Sequence, residues 1–424
     1  MRILIVNTSE QTGGAAVASK RLVAALNNNG EKAKMLVREK STDNISIAKL
    51  PEGPMQKWHF LWERLRIFVA LHFRKDHLWE IDIANSGTDI TTLPEFKEAD
   101  IIHLAWINQG MLSLKGIEKI IKTGKLIVWT MHDLWPATAI CHYARGCEAF
   151  TTGCKFCKLL PDGGSENDLS SRIWSKKKRL YSSSNIHFVT CSRWLGNQAK
   201  QSGLLKKMSV TSIPNPIDTN IFCPQDKAEA KKSLGLPVDK DVILFVAQKV
   251  TDERKGARYL IEALRKLKDE NPDIASNCVI ALLGGHAEEL AEMISIPSYP
   301  LGYVSGDKNL ANVYNAADLF VLPSMEDNLP NTLMEALACG VPCVGFNVGG
   351  IPEMIDHNKN GYVAKAGDTT DLKQGIKWAL ADASREELQH GCITKVSHCY
   401  SQQSVAFKYV EVYSRVMAQK GYGL

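Results

Sequence analysis

Residues 323–344 read PSMEDNLPNTLMEALACGVPCV and follow a short apolar run at 318–322. The residues up to Pro330 are mostly polar or proline, which predicts a loop. The residues after Pro330 favour a helix, and Gly340 stands where a helix commonly ends. A second apolar run begins at 342. This order of strand, loop, helix and strand predicts a βαβ unit within a parallel sheet.

The same alternation extends over much of the chain. Further strands are predicted at 2–7, 33–38, 100–104, 125–130, 186–191, 208–213, 242–247 and 278–283. Helices are predicted between them, for example at 15–28, 114–123, 192–202, 256–270 and 369–381. The pattern predicts two doubly wound α/β domains, with a break at the proline-rich segment 213–218. We expect domains at 1–215 and 216–400, and a last helix within 401–424 that packs back on the first domain.

The composition sets limits on the function. The 424 residues exceed what one hydrophobic core usually supports. The net charge of +5 suits an acidic ligand or an anionic membrane surface and is too small to indicate nucleic acid binding. The first apolar run is too short for a signal peptide, and no apolar run reaches about eighteen residues, so we expect a cytoplasmic protein. Most of the eleven cysteines, such as Cys278, Cys339 and Cys343, lie in apolar runs typical of reduced core thiols.

Several candidate site residues stand where predicted strands end. Gly13 and Gly14 follow the first strand and open a helix, whose N-terminus suits an anion; an ordinary loop is the alternative. Asp327 and Glu335 lie eight residues apart, one in the loop and one in the helix. In doubly wound sheets, ligands bind at the carboxyl ends of the strands, so both carboxylates can face one ligand.

The acidic pair, the small-residue helix and the segment GGIPE at 349–353 occur in the order of a known family. They resemble the nucleotide-sugar motif of the retaining glycosyltransferases of family GT4, or group 1. That resemblance implies the GT-B fold, in which two Rossmann-like domains face each other across a cleft. The segment DNLPNT at 327–332 is similar to a bacterial subgroup that makes capsular polysaccharide and exopolysaccharide. Asp327 departs from the pattern, which has Glu there; a charged helix start before a packing helix is the alternative.

The resemblance implies a role for each matching residue. Glu335 would hold the ribose hydroxyls of the nucleotide, since a carboxylate accepts two hydrogen bonds from a vicinal diol. Asp327 would contact hydroxyls of the donor sugar. The backbone at the helix start would bind the sugar and the distal phosphate. The residues that supply this backbone are Asn328, Leu329, Pro330, Asn331 and Thr332.

A basic segment after the strand at 242–247 resembles the part of the family that holds the diphosphate. Lys255-Gly256 matches its Lys-Gly element, whereas Ala247-Gln248 stands where Gly-Arg is expected. Arg254 is the candidate that compensates for the missing arginine. Positive charge at this place stabilises the negative charge that develops on a leaving diphosphate. A solvated basic turn is the alternative.

His132 follows the strand predicted at 125–130 and precedes Asp133. The family has His-Asp at this point, so the resemblance implies that His132 contacts the donor sugar beside the reacting carbon; a structural histidine is the alternative. We find no convincing carboxylate nucleophile for a double displacement and no Asp-x-Asp metal motif. The resemblance then implies a reaction on one face of the sugar, without a catalytic metal or other cofactor.

Four cysteines lie close together in the sequence: Cys141, Cys147, Cys154 and Cys157. Four thiolates suit tetrahedral zinc, and the closing C-x-x-C has zinc-knuckle spacing, which predicts a structural zinc site. His142 is a further candidate ligand. Disulfides and unliganded core cysteines are the alternatives, the former being less compatible with a reducing compartment.

The stretch from Trp58 to Trp79 mixes aromatic, apolar and basic residues, which is typical of an amphipathic helix on a membrane surface. A second basic run lies at 175–179. An ordinary packed helix with a solvated face is the alternative. If the membrane interpretation is correct, the protein is peripheral at the inner membrane.

We therefore expect a retaining hexosyltransferase that moves a sugar from a UDP-sugar or GDP-sugar to a saccharide or a lipid-linked saccharide. One alternative is a nucleotide-sugar 2-epimerase of the same two-domain architecture, which would need more acid–base carboxylates around the sugar. Another is a non-catalytic scaffold that binds nucleotide sugars, as the changed Gly-Arg position suggests.

Overall fold

The computed structural model describes residues 1–249 and 252–418, and only the backbone of residues 248 and 249. The chain divides into two compact units. The first contains Met1–Pro216 together with the chain from Val405 onward, and the second contains Ile217–Ser404. The first unit thus ends one residue after the predicted domain end, and the last segment joins it from Val405 rather than from 401.

The first unit is built on a parallel sheet, in which seven strands are described, in the order β3-β2-β1-β4-β5-β6-β7. Its strands are β1 (Arg2–Ser9), β2 (Lys32–Glu39), β3 (Ile47–Lys49), β4 (Ile101–Leu104), β5 (Leu126–Met131), β6 (His187–Thr190) and β7 (Ser209–Ser212). The central strands β4, β5 and β6 are buried along their whole length, as expected for a parallel sheet covered on both faces.

Helices and two apolar cores cover the faces of this sheet. The helices are α1 (Gly14–Asn28), α2 (Pro54–Ala70), α3 (Pro94–Glu98), α4 (Leu114–Lys122), α5 (Leu169–Ser182) and α6 (Arg193–Gln201). Helices α4, α5 and α6 are preceded by Ser113, Asp168 and Ser192, each of which caps the first turn with its side chain.

The second unit repeats the architecture with six described parallel strands in the order β10-β9-β8-β11-β12-β13. These are β8 (Asp241–Lys249), β9 (Cys278–Gly285), β10 (Ser298–Gly302), β11 (Leu319–Leu322), β12 (Cys343–Phe346) and β13 (Gly361–Ala364). Its helices are α7 (Lys227–Ser233), α8 (Ala257–Glu270), α9 (Pro272–Ser276), α10 (Ala287–Met293), α11 (Asp307–Asn315), α12 (Asn331–Ala338), α13 (Ile351–Met354), α14 (Thr369–Lys377) and α15 (Arg385–Cys399).

The last described helix, α16 (Gln402–Ala418), packs on the sheet of the first unit. Its Tyr413 hydroxyl lies 2.6 Å from Nδ1 of His103 on β4, and Nε2 of His103 lies 2.7 Å from the hydroxyl of Thr130 on β5. The Tyr409 hydroxyl lies 3.0 Å from the same threonine oxygen. All of these side chains are buried, so hydrogen bonds join α16 to two neighbouring strands within the core.

The structure confirms the ten predicted strands and adds β3, β10 and β13. The added strands are short edge elements of three to five residues, for which the apolar pattern is weak. The bounds of the amphipathic helix also differ from the stretch predicted at 58–79, because α2 begins at Pro54 and ends at Ala70. The basic run at 175–179 is not a continuous solvated face, because Lys177 is fully buried and donates to the carbonyl oxygens of Trp135 and Thr138.

No helix within the described ranges has both the length and the apolar character that crossing a membrane requires.

Tyr413→Phe should lower the free energy of unfolding of the first unit by about 1–3 kcal/mol, because it leaves a buried histidine nitrogen without its hydroxyl partner. Urea unfolding followed by tryptophan fluorescence measures this, since eight of the nine tryptophans lie within residues 1–216. Tyr303→Phe, at a tyrosine that is 81% exposed, is the matched control and should leave the unfolding midpoint unchanged. Equal effects of the two variants would contradict the proposed anchoring of α16.

Candidate active site

The strand order reverses between β1 and β4 in the first unit and between β8 and β11 in the second. Doubly wound sheets bind ligands at the carboxyl ends of their strands near such a reversal. Gly13 and Gly14 follow β1, and the loop that contains Asp327 follows β11. Each unit therefore carries sequence-predicted residues at its own reversal point.

In the second unit, Lys255 and Asp327 form an ion pair. The ammonium of Lys255 lies 2.6 Å from Oδ2 of Asp327, and the hydroxyl of Ser324 lies 3.4 Å from the same oxygen. The two charged side chains are only 20% and 12% exposed, so the pair is held in a partly desolvated place. The structure thus brings together two residues that the sequence analysis assigned separately to the diphosphate and to the sugar.

Two glycines allow the backbone of the loop at 323–330, which we name the acidic loop, to lie where it does. A Cβ on Gly256 would lie 1.9 Å from the carbonyl oxygen of Pro323, and a Cβ on Gly349 would lie 1.7 Å from the carbonyl oxygen of Asp327. Both glycines have positive φ, 74° and 56°, where other residues are strained. Any side chain at either position would displace the loop that positions the ion pair.

Glu335 lies in α12 and is buried, with 5% of its surface exposed. The hydroxyl of Tyr314, on α11, donates a hydrogen bond of 2.7 Å to its Oε2. This hydrogen bond restrains the carboxylate and satisfies part of its need for donors in a buried place. Tyr314 could not be found from the sequence, because no spacing rule connects α11 with α12.

Arg254 engages the acidic loop through its guanidinium. It donates to the carbonyl oxygen of Glu326 at 3.2 Å and pairs with Asp252 at 3.2 Å. The backbone N–H of Met325 in turn donates to the carbonyl oxygen of Arg254 at 2.9 Å. Arg254 therefore links the predicted phosphate segment, of which it is part, to the loop that contains Asp327. The side chain of Gln248, at the position where the resemblance predicts Arg, lies outside the described residues.

The loop before α12 is buried at Asn328, Leu329 and Pro330, whereas Asn331 and Thr332 are half-buried at the first turn. The residue that precedes this helix, Pro330, caps it with no side-chain hydrogen bond. The N–H groups of its first turn have no intrahelical acceptor, and a helix N-terminus favours an anion. This geometry is compatible with the predicted contact to a sugar phosphate.

In the first unit, Gly13 precedes α1 with φ 87°, and Gly13 and Gly14 are both exposed. A Cβ on Gly13 would meet no atom within 4 Å, so packing alone does not require glycine there. The carbonyl oxygen of Gly13 accepts the first hydrogen bonds of the helix, from Ala16 and Val17. The turn thus places an exposed helix start after β1. Its contact with the nucleotide-sugar donor stays a prediction.

His132 stands directly after β5 and is half-buried. Its Nδ1 lies 3.4 Å from the sulfur of Cys191, the residue that follows β6. Burial lowers the pKa of His132 to about 4, against a smaller opposing effect of Asp133. The imidazole is therefore neutral at neutral pH, and it can form hydrogen bonds without carrying a positive charge.

Behind His132 lies a set of buried charges that sequence analysis did not find. One ring nitrogen of His142 lies 2.7 Å from Asp133, and the other lies 2.7 Å from Asp82. Asp133 also accepts from the indole N–H of Trp106 at 2.9 Å, and the other oxygen of Asp82 accepts from Arg64. We name Arg64, Asp82, Asp133 and His142 the buried charge network. It holds the residue next to His132 through side chains that are distant in sequence.

The charge state of His142 follows from its two carboxylate partners. Burial alone would lower the pKa of His142, but Asp133 and Asp82 together outweigh it and raise this pKa to about 10. His142 is thus a cation that donates through both ring nitrogens. Each ring nitrogen is engaged by a carboxylate in this arrangement, so His142 offers no nitrogen to zinc here, and its role as a ligand stays a prediction.

The four clustered cysteines lie in the segment after β5, and none of them forms a disulfide. Burial raises the pKa of Cys141 to about 11 and of Cys154 to about 12, with smaller increases from neighbouring cysteines of the cluster. As the described residues lie, no three His, Cys, Asp or Glu side chains are arranged to hold a metal ion. The structural zinc therefore stays a prediction.

His142→Gln should remove a pH dependence of stability. A raised histidine pKa adds stability that is fully present below about 6.5, the pKa of an unperturbed histidine, and is lost as the pH rises through about 10. The urea midpoint of the first unit should therefore fall between pH 7 and pH 10 more steeply in the native chain than in the variant. The variant should also be less stable at pH 7, by about 3–5 kcal/mol, because two buried carboxylates lose their cation. Parallel curves for the two proteins would contradict this assignment.

Residues 226–396 match the family model described as Glycosyl transferases group 1. The chain is 27% identical over 214 residues to N-acetyl-alpha-D-glucosaminyl L-malate synthase of Bacillus anthracis. This alignment covers 49% of this chain and 53% of that protein. The chain is also 27% identical over 220 residues to D-inositol 3-phosphate glycosyltransferase of Thermobispora bispora, covering 49% and 51%. The chain thus spans about half the length of the curated relatives that it matches.

Solved structures resemble the chain over nearly its whole length. Sucrose-phosphate synthase from Thermosynechococcus elongatus aligns with a TM-score of 0.68 and 18% identity, over 99% of this chain and 100% of that one. HepE of Anabaena, in complex with UDP-glucose, aligns with a TM-score of 0.63 and 15% identity, over 98% and 100%. Identities this low bear on the fold alone. Together with the two sheet orders, they show that the chain has the predicted GT-B fold, while residues 226–396 match the group 1 glycosyltransferases in sequence.

Proposed function

We propose that the chain is a retaining glycosyltransferase that moves a sugar from a nucleoside diphosphate-sugar to a saccharide or lipid-linked saccharide in polysaccharide biosynthesis. The observation that carries the proposal is the Lys255–Asp327 ion pair at the carboxyl edge of the second sheet, within the region that matches the family. It combines a cation for phosphate with a carboxylate for sugar hydroxyls in one partly desolvated place.

In the proposed reaction, the bond between the anomeric carbon and the diphosphate oxygen breaks, and its electron pair stays on the diphosphate. The acceptor hydroxyl oxygen bonds to the same carbon on the same face, and its proton passes to the leaving phosphate oxygen. Lys255 and Arg254 stabilise the charge that develops on the diphosphate. The first turn of α12 supplies N–H groups for the sugar and the distal phosphate.

Glu335 binds the ribose diol in this proposal, and its hydrogen bond from Tyr314 holds the carboxylate in place before the donor arrives. Asp327 binds hydroxyls of the donor sugar, and His132 contacts the sugar as a neutral imidazole. No catalytic metal is needed, because lysine and arginine supply the positive charge. UDP is our first choice of nucleotide, since a structure of this fold was solved with UDP-glucose, and GDP is the second.

Incubating the purified protein with a panel of nucleotide sugars, and measuring nucleoside diphosphate release with and without acceptor, tests the proposal. Acceptor-dependent release supports a transferase. Interconversion of donor sugars without an acceptor would favour the 2-epimerase. Tight nucleotide binding with neither reaction would favour the non-catalytic scaffold.

Glu335→Ala should weaken binding of the nucleoside diphosphate by roughly tenfold to a hundredfold, because it removes charge-assisted hydrogen bonds of about 1.5–3 kcal/mol. Isothermal titration calorimetry measures this change. Glu262→Ala is the matched control, since Glu262 pairs with Arg265 on the outer side of α8 and should leave the affinity unchanged. Unchanged affinity in a folded Glu335→Ala protein would refute the ribose assignment.

We also propose that Cys141, Cys147, Cys154 and Cys157 bind a structural zinc ion after a local rearrangement. The support is the donor set itself, four thiols within one short segment after β5. When bound, zinc would cross-link the segment after β5 and take no part in the transfer.

Elemental analysis of the purified protein should find about one zinc per chain, as a four-thiolate site requires. Cys154→Ser and Cys157→Ser should lose the metal, whereas Cys399→Ser, at a half-buried cysteine in the second unit, should retain it. Absence of zinc together with four titratable thiols in the cluster would refute the site. Absence of both zinc and free thiols would favour the disulfide alternative.

A further inference from the structure

Helix α2 exposes a row of large apolar side chains, which we name the apolar stripe: Met55, Trp58, Leu61, Trp62, Leu65 and Val69. All but the half-buried Trp62 are between 48% and 58% exposed. Trp58 and Trp62 stack on each other at 5.7 Å between ring centroids. Phe73 and Trp79, just beyond the helix, are exposed as well. A contiguous row of this kind on a protein surface marks an interaction site.

The spacing of these residues places them on one side of the helix. At about 100° per residue, the stripe covers roughly a third of the circumference. The opposite side carries Phe60, Glu63 and Ile67, of which Glu63 and Ile67 are fully buried against the first unit. The helix is therefore apolar on its inner side, where it packs, and also on its outer side, which stays exposed among the residues that the structure describes.

The charges of α2 flank the stripe. The exposed charged residues of the helix are Lys57 and Arg66, both basic, and they lie on opposite edges of the apolar arc. The two other charged residues, Glu63 and Arg64, are buried. The guanidinium of Arg66 lies over the ring of Trp62, at 5.9 Å from its centroid. An apolar surface with cations on both edges and with tryptophans is complementary to an anionic bilayer surface.

A cavity of about 680 Å³ adjoins one edge of the stripe. Arg38, Lys40, Lys49 and Lys57 contribute four basic side chains to its lining, against the single carboxylate of Glu39. Arg38 pairs with Glu39, and Lys49 pairs with Glu52 nearby, so part of this charge is already neutralised. Leu61 of the stripe also lines the cavity, which joins the apolar and basic surfaces directly.

We propose that α2 and this cavity form a docking surface for a bilayer that contains anionic phospholipid. The apolar stripe inserts into the interfacial region, and the basic cavity receives a negatively charged headgroup. These side chains suit a lipid surface better than a groove on another protein, because a bilayer interface favours tryptophan together with lysine and arginine. The docking does not depend on the proposed sugar transfer, and it goes beyond it.

Co-sedimentation with vesicles tests the proposal on the whole chain of 424 residues. One set of vesicles contains phosphatidylcholine alone, and the other contains phosphatidylcholine with phosphatidylglycerol. The native protein should bind the anionic vesicles at least tenfold more tightly than the neutral ones. This preference should fall when the ionic strength is raised, because salt screens exposed charges.

Three variants separate the contributions. Trp58→Ser with Leu65→Ser should reduce binding to anionic vesicles at least tenfold, and Lys57→Gln with Arg66→Gln should abolish the preference for anionic lipid. Ile393→Ser with Phe407→Ser removes two exposed apolar residues elsewhere and should leave binding unchanged. An unchanged thermal unfolding midpoint shows that each variant is folded.

Three outcomes would overturn the proposal. The first is that the native protein does not bind anionic vesicles. The second is that Ile393→Ser with Phe407→Ser loses as much vesicle binding as Trp58→Ser with Leu65→Ser. The third is that the native protein does not bind vesicles but forms a dimer in sedimentation velocity, and that Trp58→Ser with Leu65→Ser disrupts this dimer. The apolar stripe would then be an interface between two copies of this chain. None of these outcomes depends on nucleoside diphosphate release, so they leave the proposed function to its own test.

Discussion

The close approach of backbone to backbone around the acidic loop is the constraint on which the second unit's site depends. The carbonyl oxygens of Pro323 and Asp327 occupy the space that a side chain on Gly256 or Gly349 would need. Because these glycines lie in other segments of the second unit, three segments are locked together without a side chain between them. The ion pair between Lys255 and Asp327 follows from this packing, since Lys255 directly precedes one of the two glycines. The position of the ion pair thus depends on this backbone geometry.

The first unit positions its candidate histidine by a different means. Buried charges are stable only when they are paired, and the buried charge network alternates cations and carboxylates from Arg64 to Asp133. Lys177, also buried, satisfies its ammonium with two carbonyl oxygens and lies over the ring of Trp135 at 3.3 Å. These contacts fix the segment after β5, where His132 stands.

Helix α2 connects this interior to the surface. Glu63 accepts hydrogen bonds from the backbone N–H groups of Ile83, Ala84 and Gly110, and burial raises its pKa to about 7. Arg64, the next residue, pairs with Asp82 of the buried charge network. A helix anchored so firmly on its inner side can present an apolar outer side without rearranging, because hydrogen bonds and ion pairs as well as apolar packing hold it in place.

The sequence alone determined the two doubly wound units, ten of the thirteen described strands, the family resemblance and most candidate site residues, because strand and helix periods and turn residues are local signals. The tertiary structure decided the rest. Two of its contributions join residues that are remote in sequence: Tyr314 pairs with Glu335, and His142 lies as a cation between Asp82 and Asp133. A third is the burial of Lys177, since lysine side chains are usually exposed. Such contacts depend on how helices and loops pack on the sheet, and no local spacing encodes them. The outer side of α2 shows the same limit. The sequence left open whether its apolar residues pack or face a membrane, and only the packed unit shows which of them are exposed.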